Sequence, residues 1–168
     1  MLFRSMAKRT TPDTARLTVL TTQISNDGLE LEGELTAEVF AGIDDGHVTV
    51  EAPLRYDLRA FIVNQGLLVR GSVATTMRCR CDRCLSDFDF PVTNESSHFI
   101  EAPLEQTVEL TANLREDILI LMPQKCLCQP ECLGICPGCG QNRNRSDCDC
   151  QVESTAPNAW AQLDELQL

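Results

Sequence analysis

The chain has 168 residues, 43% hydrophobic and 23% charged, enough for one domain with an appendage or for two small ones. Its net charge of −11 argues against a protein that coats nucleic acid non-specifically. No run approaches the ~18–20 apolar residues of a membrane span. The opening MLFRSMAKRTTPDT lacks the apolar stretch of a secretory signal, which points to the cytoplasm.

Taken in order, residues 1–15 read as a flexible leader, RLTVLTTQI (16–24) as a strand and SNDG (25–28) as a turn. In 29–43, Leu29, Leu31 and Leu35 favour a strand, whereas TAEVF favours a short helix capped by Thr36. After the DDG break come three β-rich runs, 47–64, 65–80 and 87–100, with NQG (64–66) as a hairpin turn. Residues 111–123 carry Leu114, Ile118 and Leu121 at helical spacing, with Asn113 as cap and Pro123 as stop. Turn residues dominate the cysteine-rich segment that follows, and Trp160, Leu163 and Leu166 give the closing stretch an amphipathic spacing. These elements predict an α+β fold. An antiparallel β-meander or partly closed barrel with a short helix occupies 16–123, a zinc-binding segment occupies 124–152, and a tail packing on the body occupies 153–168. No internal repeat is visible.

Ten cysteines in a reducing compartment favour metal or redox chemistry over disulfides. Three lie at Cys79, Cys81 and Cys84, and seven fall within 126–150. Four half-sites emerge: Cys81-x2-Cys84, Cys128-x3-Cys132, Cys136-x2-Cys139 and Cys148-x-Cys150. Such spacing lets two sulfurs point at one ion, so the four half-sites make two tetrahedral zinc sites. Cys136, Cys139, Cys148 and Cys150 can close locally with little loop entropy, leaving Cys81, Cys84, Cys128 and Cys132 for a long-range clamp. The other pairing joins Cys81 and Cys84 to Cys136 and Cys139. Gly140, after the CPGC turn, is expected at positive φ. A thioredoxin-like dithiol would need a strand-to-helix setting, which the β-rich flanks do not offer, and an iron–sulfur cluster remains open. Cys79 and Cys126 are left over, as two thiols packed beneath the site, as an alternative ligand pair or as an oxidisable pair.

Arg78, Arg80 and Arg83 interleave with the first cysteines, and Arg143 and Arg145 lie inside the second group. They either offset the thiolates or contact RNA. His47 and His98 are isolated, and there is no phosphate-binding loop, no nucleophile–base pair and no paired catalytic carboxylates, so a non-catalytic protein is expected.

Three stretches resemble the YceD family of large ribosomal RNA subunit accumulation proteins. CDRCLSDF (81–88) is similar to its C-x-R-C-L-x-x-F, and LREDILILMP (114–123) to its acidic, leucine-rich helix. CQPECLGICPGCGQNRNRSDCDC (128–150) resembles its C-x3-C-x-G-L-C-x2-C-G-x-N-L-N-x4-C-x-C. Ile135 and Arg143 depart from it, standing where leucine is usual, and Cys79 and Cys126 are outside the pattern. The resemblance implies a role in large-subunit rRNA accumulation or processing and ribosome assembly. The implied partners are that rRNA, a basic ribosomal protein or a processing nuclease, with no small-molecule substrate and no membrane. The competing expectation is a metal- or redox-responsive regulator switched at Cys79 and Cys126.

Overall fold

Alternation of apolar and polar side chains shapes most of the first hundred residues, and strands dominate there. A computed structural model describes residues 15–43, 46–101 and 105–150. Residues 1–14 of the expected leader, and the tail 153–168, lie outside the described residues. The strands are β1 (Thr18–Leu20), β2 (Leu29–Leu35), β3 (Val48–Thr49), β4 (Leu54–Val63), β5 (Gly66–Arg80), β6 (Asp87–Glu101) and β7 (Thr107–Glu109). Among the described residues one α-helix, α1 (Thr111–Leu119), follows them. Among the described residues no helix is long and apolar enough to cross a membrane.

β4, β5 and β6 form the expected antiparallel meander, extended by β2 on the far side of β4. Their sheet curls into a half-barrel. Asn64 (φ 47°) and Gln65 (φ 63°) turn the β4–β5 hairpin, both with the positive φ that a two-residue turn requires. The run 47–64, expected as one strand, is divided. Thr49 faces Arg78 and Arg55 faces Ala74, so five residues (50–54) on one side oppose three (75–77) on the other. Pro53 within the excess has no N–H to give the ladder. The buried Thr75 hydroxyl binds the Ala52 and Pro53 carbonyls instead, at 3.3 and 3.1 Å. At Gly71 (φ 152°) a Cβ would lie 2.7 Å from the Leu58 Cα, so β4 and β5 approach there only because the side chain is absent.

Pleating gives the sheet one apolar face. Leu31 and Leu35 of β2, Leu54, Tyr56, Leu58 and Ala60 of β4, and Leu67, Val69, Val73 and Met77 of β5 are buried on it. α1 covers this face with Leu114 and Ile118, both fully buried, and each large aliphatic side chain buried contributes about 1.5–3 kcal/mol. β7, not anticipated from its three residues, pairs with β1 and brings Val19 and Val108 to the same core.

The helix differs from expectation at both ends. Asn113 lies inside it and Leu110 occupies the cap position without a side-chain bond. The Thr111 hydroxyl is used elsewhere, accepting the Leu17 N–H at 2.9 Å. After Leu119 the backbone tightens into i→i+3 bonds, Leu121 N–H to Ile118 O and Met122 N–H to Leu119 O, before Pro123. The TAEVF stretch is a 3-10 turn at Ala37–Phe40, and Thr36 precedes it without capping it. His98, isolated in sequence, donates from Nε2 to Asp117 Oδ2 at 2.8 Å and holds α1 against β6.

Candidate metal centre

The β5–β6 connection sets the first half-site. Cys81 N–H bonds to Ser86 O at 2.9 Å, and Leu85 N–H returns to Cys81 O at 2.9 Å. This closed knuckle turns Cys81 and Cys84 to the same side. The same two bonds recur at Cys136, from its N–H to Gln141 O and from Gly140 N–H to Cys136 O, both 2.8 Å. Gly140 has the expected positive φ, 73°, and Leu85, in the equivalent position, has φ 58°. A six-residue backbone motif is thus used twice, although the sequence shows no long-period repeat.

Folding gathers eight sulfurs into two groups of four. One is Cys81, Cys84, Cys128 and Cys132, the other Cys136, Cys139, Cys148 and Cys150, and within each the sulfurs lie within 4.8 Å of one another. This is the grouping that loop lengths favour. Cys81 and Cys132 sulfurs are 3.8 Å apart, and Cys84 and Cys128 sulfurs 3.6 Å. A disulfide would need about 2.05 Å, whereas a tetrahedron of ~2.3 Å metal–sulfur bonds has edges of about 3.8 Å. The donor set therefore fits a thiophilic, tetrahedral ion, and each group can hold a metal ion.

Electrostatics within each group point the same way. Burial pushes the Cys81 thiol up, but N–H groups of Cys128, Cys84 and Arg83 outweigh it and bring the thiol down to about 6. Cys84 also goes down, the Ser86 N–H and hydroxyl overcoming burial. Cys128 is pushed up to about 12 by burial and by the neighbouring Cys84, Cys132 and Cys81 sulfurs. In the second group the Cys139 N–H, the Cys148 thiol and the Gly138 N–H bring Cys136 down to about 6, while Cys150 beside Cys139 rises to about 12. Early ionisation of one sulfur opposes ionisation of the last, and a divalent cation among them relieves that opposition.

Backbone and side-chain hydrogen bonds weld the segment to the sheet. Asp82 N–H donates to Cys126 O, and Cys126 N–H donates to Asp82 Oδ2, each at 2.8 Å. Ile135 N–H donates to Arg83 O at 3.1 Å, and Asn142 Nδ2 donates to Ser86 Oγ at 3.0 Å. Asn144 was not anticipated from the sequence. Its amide donates to Cys132 Sγ at 3.2 Å and to Asn142 Oδ1 at 2.9 Å, while its own oxygen accepts Leu133 N–H. The visible signal was the pair Asn142 and Asn144 in a turn-rich stretch, where asparagine side chains bind nearby backbone.

The five arginines are in different situations. Arg78 pairs with Asp89 at 2.8 Å and Arg80 with Asp87 at 3.3 Å, across β5 and β6. Arg83 donates from Nη1 to Cys132 O at 3.0 Å and so clamps the first group. Arg143 and Arg145 make no side-chain hydrogen bond or ion pair among the described residues. Cys79 and Cys126 are buried, at 1% and 4% exposure, and both belong to the main apolar core.

Uncharacterized proteins of Mycobacterium bovis and Mycobacterium tuberculosis are 31% identical over 105 residues, covering 53% of this chain and 51% of theirs. The chain thus spans about half the length of the curated relatives it matches. No solved structure matches it. The family model described as large ribosomal RNA subunit accumulation protein YceD matches residues 69–167, which include all eight clustered cysteines. Matched over more than half its length, the chain belongs to the YceD family.

Proposed function

We propose that the chain is a non-catalytic, zinc-stabilised factor in the accumulation or processing of large-subunit ribosomal RNA, and so in ribosome assembly in the cytoplasm. The carrying observation is the pair of four-thiol groups within a family named for that RNA. Zinc suits an all-sulfur tetrahedral donor set and, when bound, supplies a redox-inert crosslink. Cys81 and Cys84 would hold one ion from the sheet, Cys128 and Cys132 from the following segment. Cys136, Cys139, Cys148 and Cys150 would hold the second. The surrounding groups orient these donors: Ser86 and Asn142 fix the first knuckle, and Asn144 and Arg83 fix Cys132.

For RNA contact, Arg143 and Arg145 carry the most available charge, with Arg83 beside them, because Asp89 and Asp87 occupy Arg78 and Arg80. A basic ribosomal protein would instead meet the acidic excess behind the net charge of −11; on β2 the exposed Glu32 contributes to it, whereas Glu30 and Glu34 are paired with Arg59 and Arg55. The thiol-switch alternative needs oxidant to reach Cys79 and Cys126, and their burial opposes that.

Metal analysis with thiol counting on anaerobically purified protein tests the zinc reading. Two zinc ions per chain are expected, and iron or a single ion would overturn it. Crosslinking followed by sequencing of bound RNA tests the rRNA reading. Neutralising Arg143 and Arg145 should reduce the salt slope of binding by up to about 2. An unchanged slope would shift the assignment to the acidic face.

A further inference from the structure

Eight residues separate Cys139 from Cys148, and the loop they form serves the first cysteine group as well as the second. Its leading arm is held by backbone pairing: Arg143 N–H donates to Gly134 O at 2.9 Å, and Ile135 bridges to Asn142. Its returning arm has no such support. Among the described residues, none of 147–150 enters a backbone–backbone hydrogen bond. Cys148 and Cys150 bring that arm back to Cys136 and Cys139 through their sulfurs. Two asparagines on the loop bond towards the first group. Asn144 donates to Cys132 Sγ at 3.2 Å and to Asn142 Oδ1 at 2.9 Å, while its own oxygen accepts from Leu133 N–H at 2.9 Å and from Gln129 Nε2 at 3.1 Å. A flipped carboxamide would set oxygen against sulfur, so these bonds fix one orientation. Asn142 Nδ2 donates to Ser86 Oγ at 3.0 Å, and the Ser86 hydroxyl in turn bonds to the Cys84 sulfur. A hydroxyl that accepts one hydrogen bond still has its proton to give. The loop thus supports two of the first group's four sulfurs, one from the sheet and one from the segment.

We infer that the second cysteine group is a regulatory metal site for the first: an ion there closes the loop, sets Asn142 and Asn144 in place and so raises the metal affinity of the first group. Outer hydrogen bonds to metal ligands are worth about 10–100-fold in affinity when lost. A loop open at its returning arm holds these bonds only part of the time, and apparent affinity falls with the fraction of chains in the competent state. Coupling is reciprocal, so an ion in the first group strengthens the second by the same factor. The asymmetry lies in access. Cys139 and Cys150 are exposed, whereas Cys81, Cys84 and Cys132 are buried. The second group therefore exchanges with the surrounding pool of soft divalent ions, and the first responds. Because the first group joins the cysteine-rich segment to the sheet, that junction tightens when zinc is plentiful and loosens when it is scarce. The inference rests on both groups holding metal, and it does not depend on which partner the protein serves.

Cadmium, a soft divalent ion with an NMR-active nucleus, reports each group separately in the full chain. The loaded protein is titrated with a competing chelator while two resonances, one per group, are followed. Cys139→Ser with Cys150→Ser should remove one resonance and lower the affinity of the first group by about 10–100-fold. Asn142→Ala with Asn144→Ala should lower that affinity similarly while both resonances persist. The decisive comparison combines all four substitutions, where the loss should equal that of the serine pair alone rather than the product of the two losses. Amide exchange of β4–β6 checks folding in each variant, and Cys150→Ser alone replaces the serine pair if that pair unfolds the sheet. Unchanged affinity of the first group in the serine pair would overturn the inference, as would losses that multiply. A chain that holds no ion defeats the metal reading itself, whereas two ions lost independently defeat only the coupling.

Discussion

The knuckles at Cys81–Ser86 and Cys136–Gln141 follow the same backbone path, yet their surroundings differ at every point. The first joins two 15-residue strands, and its sulfurs meet partners 44 and 51 residues away in sequence. Cys81, Cys84 and Cys132 are buried. The second meets Cys148 and Cys150 within its own segment, and Cys139 and Cys150 are exposed. Identical ligand chemistry therefore does different mechanical work. An ion at the first group would tie the cysteine-rich segment to the sheet directly, whereas an ion at the second would close a loop that reaches the first knuckle only through hydrogen bonds from Asn142 and Asn144.

Ligand removal should separate them most. Cys84→Ser is expected to cost more than about 4 kcal/mol, the range of a lost structural metal. Cys139→Ser should cost less than half as much, both read by denaturant titration alongside zinc content. Equal losses would break the distinction. A smaller but clear difference is expected on chelation, where a chromophoric chelator should take the exposed ion at least tenfold faster than the buried one. Amides of β4–β6 should stay protected from hydrogen exchange until the slow phase. Single-phase release would mean the two ions act as one unit.

Asn144 bridges the pair. It lies in the loop closed by the second group while donating to Cys132 of the first. Asn144→Ala should weaken metal binding at the first group by about 10–100-fold, as loss of an outer hydrogen bond to a ligand does, and should uncouple it from filling of the second. Competition titration with the second group intact measures both. The smallest effect concerns the residue after each knuckle. Gly140→Ala should cost about 1–2 kcal/mol, because a Cβ is disfavoured at positive φ. Leu85→Gly should change stability by less than about 1 kcal/mol, the relieved backbone offsetting the gain in unfolded entropy. Thermal melts of the two variants compare the positions directly.

How much of this was written in the sequence follows from the range of each interaction. The NQG turn, the long β-strands and the helix around Leu114 and Ile118 were legible because each rests on neighbours two to four residues away. The grouping of the thiols was legible too, since half-site spacing and loop entropy are local quantities. What escaped reading depended on distant partners. β7 is three residues long and exists because β1 lies beside it. The break between β3 and β4 depends on Thr75 satisfying carbonyls 22 and 23 residues earlier. The caps expected at Thr36 and Asn113 are also absent. Ala37–Phe40 forms a 3-10 turn that Thr36 does not cap, and α1 begins two residues before Asn113. The engagement of Arg78 and Arg80 by Asp89 and Asp87 needed the β5–β6 register, which the sequence alone does not supply.

The 44 residues between Cys84 and Cys128 are also an interval of time. At about 5–20 residues per second, a ribosome spends roughly 2–9 s between making them. The β4–β5 hairpin, with its short turn, can pair before that interval ends. Cys81 and Cys84 then wait at the end of the growing sheet as two thiols without their partners. During synthesis the half-site is open to oxidants and to other soft metals, and it becomes a four-sulfur site only when Cys128 and Cys132 emerge.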